Sequence, residues 1–489
     1  MPIGQTSCRA ASALVPQGNL LAGGAWACSN ASAMMPGPPP VSGPEVGCPS
    51  AWRRFLVSLG KPLAKLKDVR TLVFVGAWLL ILCGAGALGV RWLGGVYLWR
   101  QAQHALDDRD FDHARSYLSD YLRLRPQDAA AYFALARACR RADDLDAWEE
   151  HLRDAERLGH PAEEVRLEKW LGLAQSGALR QVEAALLAWL NDEEADDELV
   201  LEAMAKGYLR DYRLTEAVRL MALWQARHPE AWQPHFYRGQ GYELVQRYDQ
   251  AEAEYRAALE LGPDRPEVHL ALAGVCLSRF RYELALEELR AYQRTRPTSP
   301  TVQYGIASCQ HGLGQAEESC ATLDELFAQQ PEHGPGLLLR GKLALQLNRP
   351  EEALAWLRRA ERALPQEPEM LTALIHALRH LGQEDEADRV QRRRERVNDW
   401  LEQLRLLKDQ VVRRQDDASL RQQVGSIQLE LGHTRKAMRW LLSALQIDPH
   451  HRPAHAALAA CYDRLGDLAR AQDHRGQAEE SQVPAARTP

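Results

Sequence analysis

The chain has 489 residues, of which 46% are hydrophobic and 26% charged, and its formal net charge is −6 at pH 7. This balance of charge argues against a nucleic-acid-binding protein, which usually carries a basic excess. Apolar runs with the period-two alternation of β-strands are missing from residue 95 onward, so the composition predicts an all-α fold.

Residues 1–50 are rich in Ala, Gly, Ser and Pro, and their only charged side chains are Arg9 and Glu45. Such a composition cannot bury a core. We expect either a disordered cytoplasmic tail or sequence upstream of the true start, for which Met34 and Met35 are candidates. A basic juxtamembrane segment, 51–70, follows.

The stretch 71–90 has no charged side chain and is long enough for a helix to cross a hydrocarbon core of about 30 Å. It predicts one transmembrane helix, assigned to residues 71–94, that continues into the helical region after it. Six Lys and Arg against a single Asp precede it, so the positive-inside rule places the amino terminus in the cytoplasm and the remaining chain in the periplasm. The opposite orientation stays open, as does signal-peptidase cleavage near Ala85-Gly86-Ala87.

From about residue 95 the sequence repeats every 34 residues. In each block, two short segments have apolar residues at helical spacing, which predicts two amphipathic helices. A Pro twelve places after a recurrent Ala ends the second helix, because Pro lacks the amide donor and disfavours helical geometry before it. One pair cannot bury both its faces, so pairs must stack into a superhelix with a concave surface. The Ala and Pro recur as Ala217/Pro229, Ala251/Pro263, Ala285/Pro297, Ala353/Pro365 and Ala437/Pro449.

Block 232–265 shows the pattern most fully. Its Gly239, Tyr242, Ala251, Tyr255, Ala258 and Pro263 occupy the positions where tetratricopeptide (TPR) repeats carry Gly, Tyr, Ala, Phe or Tyr, Ala and Pro. About four-fifths of the chain therefore resembles the TPR family, which implies a right-handed superhelical solenoid of helix-turn-helix repeats. The predicted repeat starts are Gly95, Ala129, Glu163, Glu198, Trp232, Pro266, Pro300, Gly334, Pro368, Ala418 and Arg452.

The repeats differ in quality along the chain. We expect partly degenerate repeats over 95–231, regular repeats over 232–401, further repeats over 418–480 and a disordered tail over 481–489. Two blocks are expected to be distorted. The block at Ala129 has Trp148 where Ala is usual, and the block at Glu163 is one residue too long.

The period breaks after Trp400, where residues 402–417 form an insertion of sixteen residues without Pro or Gly. The simplest account is a long second helix over 384–415 that carries a short coiled-coil-like seam. The seam either pairs two subunits, giving weak self-association through 390–411, or lies along the chain's own solenoid. The basic run 392–396 is interpreted as a solvated face. The seam residues are Val390, Val397, Leu404 and Val411.

TPR-like arrays line their concave groove with one face of each first helix. Here the fifth repeat position carries an apolar ladder and the ninth is mostly polar, which favours a groove for an extended or helical peptide segment. The alternative is that the ladder packs between neighbouring repeats. Asn is absent from both positions, so the carboxylate clamp of some TPR proteins is not expected. The predicted groove residues are Phe133, Phe236, Gln240, Leu270, Tyr304, Leu338 and Lys342.

No catalytic or cofactor-binding pattern appears in the sequence. GxSxG, HExxH, phosphate-binding and dinucleotide-binding motifs are missing, and no CxxC occurs, so neither enzyme activity nor a cofactor is expected.

A histidine cluster, His450, His451 and His455, spans a turn between two repeats. Polar residues commonly cap helices at such turns, and metal ligation is the alternative. Cys309 and Cys320 fall on opposing helices of one repeat. They are predicted either to be buried free thiols or to form a disulfide.

These features predict a non-enzymatic interaction scaffold, anchored by one membrane helix in the bacterial cell envelope, that binds protein or peptide segments in its concave groove. TPR proteins anchored in this way usually scaffold assemblies or hold protein clients, which is what the resemblance implies here. The alternative is an adaptor in envelope biogenesis or secretion that hands substrates to a partner enzyme.

Overall fold

The computed structural model describes residues 69–191, 197–296 and 299–479. These residues fall into two compact units, which we call the amino-terminal unit (69–169) and the carboxy-terminal unit (170–479). The boundary lies within the third repeat rather than at 231/232, where the sequence changes in regularity. Within the described ranges every regular element is helical, which confirms the all-α prediction.

The amino-terminal unit consists of α1 (Val69–Asp107), α2 (Phe111–Leu124), α3 (Ala129–Arg141), α4 (Leu145–Arg157) and most of α5 (Ala162–Leu173). Ala102 and Ala105 on α1 are buried in the same core as Leu118 on α2, so α1 continues into the first repeat as predicted. Arg140 and Glu168 form a fully buried ion pair at 2.5 Å, which links the second and third repeats.

The predicted transmembrane helix is not supported by the structure. Among the residues that the structure describes, no helix is long and apolar enough to cross a membrane. Residues 71–90 belong to the helix α1, but the structure does not describe most of their side chains. The predicted amino-terminal segment 1–50, the basic segment 51–68 and the tail 481–489 lie outside the described residues altogether.

The carboxy-terminal unit continues the alternation of first and second helices, and each helix contacts the next along the chain. Its π-helical segment Ala174–Ala178 follows α5. Its helices are α6 (Leu179–Leu190), α7 (Glu198–Arg210), α8 (Leu214–Arg227), α9 (Gln233–Leu244), α10 (Tyr248–Leu261), α11 (Pro266–Ser278), α12 (Tyr282–Thr295), α13 (Pro300–Gly312), α14 (Ala316–Gln329), α15 (Gly334–Gln346), α16 (Pro350–Ala363), α17 (Pro368–His380), α18 (Glu384–Arg413), α19 (Ala418–Glu430), α20 (Thr434–Ile447), α21 (Arg452–Leu465) and α22 (Leu468–Glu479).

A residue with positive φ marks the turn between the two helices of each repeat. Successive turns are 34 residues apart except for one step of 35, at Gly177 to Tyr212, and one of 50, at Gly382 to Gly432. These two steps confirm the extra residue in the third repeat and the sixteen-residue insertion. The series is Arg109, Asp143, Gly177, Tyr212, Gln246, Phe280, Gly314, Asn348, Gly382, Gly432 and Gly466.

Of the two repeats expected to be distorted, only the third is. Its first helix ends in a kinked segment, 174–178, in which Gly177 has a non-helical φ of 98°. The prediction for the second repeat is wrong. Trp148 is 7% exposed and shares a core with Ala131, Ala134 and Ala138 of α3, whose small side chains leave room for the indole ring.

Gly at the eighth repeat position allows the two helices of a repeat to approach closely. A Cβ at Gly239 would lie 2.5 Å from the ring of Tyr255, and one at Gly341 would lie 2.7 Å from Leu357. Both distances are too short for a real side chain. The Gly and the large residue facing it on the second helix therefore fit as a pair.

The insertion lengthens a second helix, as predicted: α18 spans Glu384–Arg413. The four seam residues are at most 7% exposed and share one core cluster with Leu374 and Leu378 of α17. The seam therefore lies along the chain's own solenoid. The interpretation of 390–411 as a surface for self-association is corrected, because its apolar side chains are already covered within the unit.

Candidate functional site

The first helices of several neighbouring repeats contact one another in the carboxy-terminal unit. Direct contacts join α7 to α9, α13 to α15, and α15 to α17. The predicted groove residues of this unit lie on α9, α11, α13 and α15. Phe133 lies on α3 of the amino-terminal unit, where its ring stacks on His160 at 4.0 Å between centroids.

The predicted groove residues differ in how far they are buried. Phe236 and Leu338 are 9% and 6% exposed. The ring of Phe236 lies 5.7 Å from Trp232, 5.2 Å from Tyr237 and 5.8 Å from Tyr255. Phe236 therefore packs within its own repeat, whereas Leu338 shares a core with Met370 and Leu374 of the next repeat.

Four of the predicted residues, Gln240, Leu270, Tyr304 and Lys342, remain half-buried and so offer part of their surface to a ligand. No observation yet tests ligand contact at these positions, and the groove assignment stays a prediction. The packing alternative applies at Phe236 and Leu338, and ligand contact stays a prediction at the four half-buried positions.

Tyr304 and Lys342 both have protein groups close to them. Burial raises the pKa of Tyr304 to about 12. The ring of His333 lies 5.5 Å away. Lys342 Nζ donates to Glu369 Oε2 at 2.6 Å, so its charge is already paired with an acid of the next repeat.

Sequence reasoning missed a group of three basic residues, Lys408, His433 and Lys436. His433 and Lys436 are exposed to water. Partial desolvation, followed by the charges of Lys436 and Lys408, lowers the pKa of His433 to about 4. Partial desolvation, followed by the charge of Lys408, also lowers the pKa of Lys436. Lys408 belongs to the insertion, outside the 34-residue pattern, so no repeat position pointed to it.

The histidine cluster forms helix caps and repeat contacts. His451 is the N-cap of α21 and accepts a hydrogen bond from the Ala454 amide at 3.3 Å. The buried His455 contacts the Pro449 carbonyl oxygen through Nε2 at 2.9 Å and His474 Nδ1 through Nδ1 at 2.8 Å. Within the described ranges, no three His, Cys, Asp or Glu side chains are arranged to hold a metal ion.

The cysteines of the repeats are separate thiols. Cys139, Cys276, Cys309 and Cys461 are buried, whereas Cys320 is half-buried, and all five are free. Burial raises the pKa of Cys309 to about 12, far from the range in which a thiolate forms at neutral pH. The interpretation as a buried free thiol is confirmed for Cys309, which is not bridged to Cys320.

The amino-terminal unit has an open cavity of about 730 Å³ beside two inter-repeat turns, 125–130 and 159–161. Backbone and small side chains form much of its wall, and the charged groups that reach it are Arg125, Asp128 and His160. Asp128 is already engaged, because it caps α3 and accepts a hydrogen bond from Tyr121 Oη at 2.7 Å. The cavity thus belongs to the turns of the stacked repeats.

Comparison with known families agrees with the geometry. A family model described as Tetratricopeptide repeat matches residues 100–163, 245–300 and 312–368, and a second model of the same description matches 418–451. The chain carries tetratricopeptide repeats. The TPR resemblance read from Gly239, Tyr255 and Pro263 is thereby confirmed. No curated protein sequence matches the chain.

Several solved structures of helical repeats are similar to the TPR array. Yeast Tom70 is 14% identical, with a TM-score of 0.32, over 81% of this chain and 92% of its own. PilW, a widely conserved type IV pilus biogenesis factor, is 17% identical, with a TM-score of 0.37, over 40% and 91%. A tetratricopeptide repeat protein from Parabacteroides merdae is 18% identical, with a TM-score of 0.32, over 58% and 99%. These values carry no inference about function.

Proposed function

We propose that the chain is a non-enzymatic scaffold that binds a protein or peptide segment on the first-helix surface of the carboxy-terminal unit. The observation that supports this most is the surface itself. Leu270 and Tyr304, both half-buried, are apolar positions one repeat apart, and Gln240 and Lys342 flank them with polar groups. Extended or helical segments are bound by such spaced apolar anchors with a polar rim.

The supporting and accessible residues have different roles in this proposal. Phe236 would hold the two helices of its own repeat together, and Leu338 would hold its repeat against the next. Leu270 and Tyr304 would contact apolar side chains of the bound segment. Gln240 can both donate to and accept from its backbone.

Site-specific photo-crosslinking in cells tests this surface. A photoreactive amino acid is placed at Gln240 or Leu270 of the full chain, and the matched controls carry it at Val218 or Leu284. Those controls are 55% and 37% exposed apolar positions on the second helices α8 and α12. We expect discrete crosslinked products from the first-helix positions and none from the controls.

The crosslinked partner is identified by mass spectrometry, and a peptide of the crosslinked segment then serves as competitor. Loss of the product in the presence of this peptide supports a specific groove. Products of equal yield from both helix faces, or no product from Gln240 and Leu270, would exclude the first-helix surface as the binding site.

We further propose that the scaffold is anchored in a membrane through residues 71–90, with the repeats in the periplasm. Support comes from the sequence: the uncharged stretch and the six Lys and Arg ahead of it. A reporter that is active only in the periplasm, fused after Pro489, should be active, and the repeats should be accessible to protease in spheroplasts. A silent reporter with protected repeats would place them in the cytoplasm.

A further inference from the structure

Two regions of the carboxy-terminal unit contact each other directly through residues that are 196 to 269 positions apart in the sequence. One region comprises Gly177, Arg180, Asp211 and Tyr212 of the third and fourth repeats. In a simple solenoid each repeat contacts only its neighbours, so this contact is an addition to the repeat fold. The opposing region comprises Lys408, Asp416, Arg421, Trp440, Ser443 and Gln446 of the ninth and tenth repeats.

Arg421 is the centre of the contact and is fully buried. Its Nη2 donates to the Asp211 carbonyl oxygen at 3.0 Å and to the Gln415 carbonyl oxygen at 2.9 Å, and its Nη1 donates to Ser443 Oγ at 2.7 Å. Ser443 in turn lies 3.5 Å from Asp211 Oδ1. The backbone of the fourth repeat is thus bonded to the first helix of the tenth.

Aromatic and ionic contacts flank this centre. The rings of Tyr212 and Trp440 are 4.9 Å apart, and Lys408 Nζ lies 5.9 Å from the centroid of Tyr212. Arg180 Nη2 donates to Asp416 Oδ1 at 2.5 Å. The repeat turn places the ring of Tyr212 here, because its φ of 57° matches the positive φ of the other turn residues.

The contact is electrostatically weak for its degree of burial. Asp211 is 2% exposed, and its Oδ2 accepts no hydrogen bond. Burial raises the pKa of Asp211 and lowers that of Arg421. Both charges would be better solvated if the two regions separated, because the desolvation of buried charges offsets their attraction. The centre of the contact therefore carries a desolvation cost, and the apolar packing of Tyr212 on Trp440 lies beside it.

We propose that these residues form a reversible latch between the fourth and tenth repeats, and that its opening changes the pitch of the array between them. The neighbour contacts of the intervening repeats do not depend on the latch. It can therefore open while every repeat stays folded. The latch does not depend on the proposed ligand surface, and its test needs no ligand.

Charge reversal at Arg180 and Asp416 tests the latch without changing its buried centre. In the full chain, Arg180→Asp and Asp416→Arg each remove the ion pair, and the double variant restores it with the charges exchanged. We expect amide hydrogen exchange in 211–213 and in α20 to be about two- to fivefold faster in each single variant. Exchange should return to the wild-type rate in the double variant.

A matched control reverses a charge elsewhere in the same unit. Arg349→Asp breaks the ion pair between Arg349 and Glu352, two exposed side chains three residues apart in the sequence. It should leave exchange at 211–213 and in α20 unchanged. Trp440→Ala removes the ring contact with Tyr212 and should accelerate exchange in the same two regions more than either charge reversal does.

Two results would overturn the latch. Unchanged exchange in the two single variants and in Trp440→Ala would show that the contact contributes nothing to the stability of the closed array. Faster exchange spread evenly over the carboxy-terminal unit would show that the contact is an inseparable part of one cooperative fold.

Discussion

Glu243 carries a buried carboxyl group in the most regular repeat. It is 8% exposed and accepts a hydrogen bond from Tyr255 Oη. Burial outweighs this hydrogen bond and raises the pKa of Glu243 from 4.5 to about 7. The folded state therefore keeps a proton that the unfolded state releases. The stability associated with this proton is full below pH 4.5 and is lost as the pH rises through 7.

Replacing Glu243 with Gln should remove this loss, because the amide oxygen can still accept from Tyr255 and no charge is buried. We expect the free energy of unfolding at pH 8 to rise by about 1–3 kcal/mol, with little change at pH 4.5. Urea denaturation at the two pH values measures the difference. Glu260→Gln, at an exposed position of α10, is the control. If the free energy of unfolding rose equally at both pH values, Glu243 would be ionised in the folded state.

Gly239 tests the fit between the two helices of a repeat. Gly239→Ala would place its Cβ 2.5 Å from the Tyr255 ring and should lower the free energy of unfolding by about 1–3 kcal/mol. Gly476→Ala, on α22 with no atom within 4 Å of the added Cβ, should be neutral or stabilise by up to about 1 kcal/mol. Denaturation midpoints compare the two variants, and a stable Gly239→Ala protein would contradict the fit.

At the scale of the element, a histidine at the fourth repeat position joins the two helices of its repeat. His235 pairs with Glu254 at 2.8 Å and His269 with Glu288 at 2.5 Å, each nineteen residues later. In the last repeat the partner of His455 is His474 instead, at 2.8 Å. Burial, followed by the nearby His455, lowers the pKa of His474. Two imidazoles this close cannot both hold a proton at low cost.

The last repeat should therefore weaken in acid. Because the pKa of His474 is lowered in the fold, the stability is present above pH 6.5 and is lost as the pH falls below that value. His474→Glu recreates the pair of the other repeats and should protect α22 at pH 5 by about 1 kcal/mol or more. Hydrogen exchange of α22 at pH 5 and 7 measures this. Equal acid sensitivity in the variant would show that the histidine pair is not the cause.

Element boundaries were predictable because each depends on local chemistry. Predicted starts at Ala129, Glu198, Pro266 and Pro368 coincide with observed first residues of helices, since caps and Pro fix them locally. The long helix over 384–415 also matches α18. The kinked segment 174–178 was not predictable, because the step of 34 residues from Asp143 to Gly177 is regular and gives no sign of it.

The candidate site was less predictable, because its properties depend on contacts between repeats. Phe236 and Leu270 hold equivalent positions in the sequence, yet the aromatic neighbours of Phe236 cover it while Leu270 stays partly open. Lys408 approaches Lys436 only because the insertion extends α18. The contact of Asp211 with Arg421 joins residues 210 positions apart, which no repeat pattern indicates.

At the scale of the whole molecule, the location of the α18 seam decides whether two copies of the chain can associate through it. Val397 is fully buried, so Val397→Ala should lower the free energy of unfolding by about 2 kcal/mol through a cavity. If the seam lies within one chain, the unfolding temperature of either protein should not depend on protein concentration over a hundredfold range. Calorimetry across that range checks this. An unfolding temperature that rises with concentration only in the wild type would restore the seam as a subunit interface.

The latch also restricts how such an array can change in evolution. Repeat arrays grow and shrink by whole repeats, and a deletion of 34 residues leaves every neighbour contact with an equivalent replacement. Between Tyr212 and Arg421, however, such a deletion would move the tenth repeat away from the fourth. The number of repeats within this interval is then fixed by geometry, whereas gain or loss beyond Arg452 costs only the local contacts. Natural variation in array length should accordingly concentrate outside the latched interval.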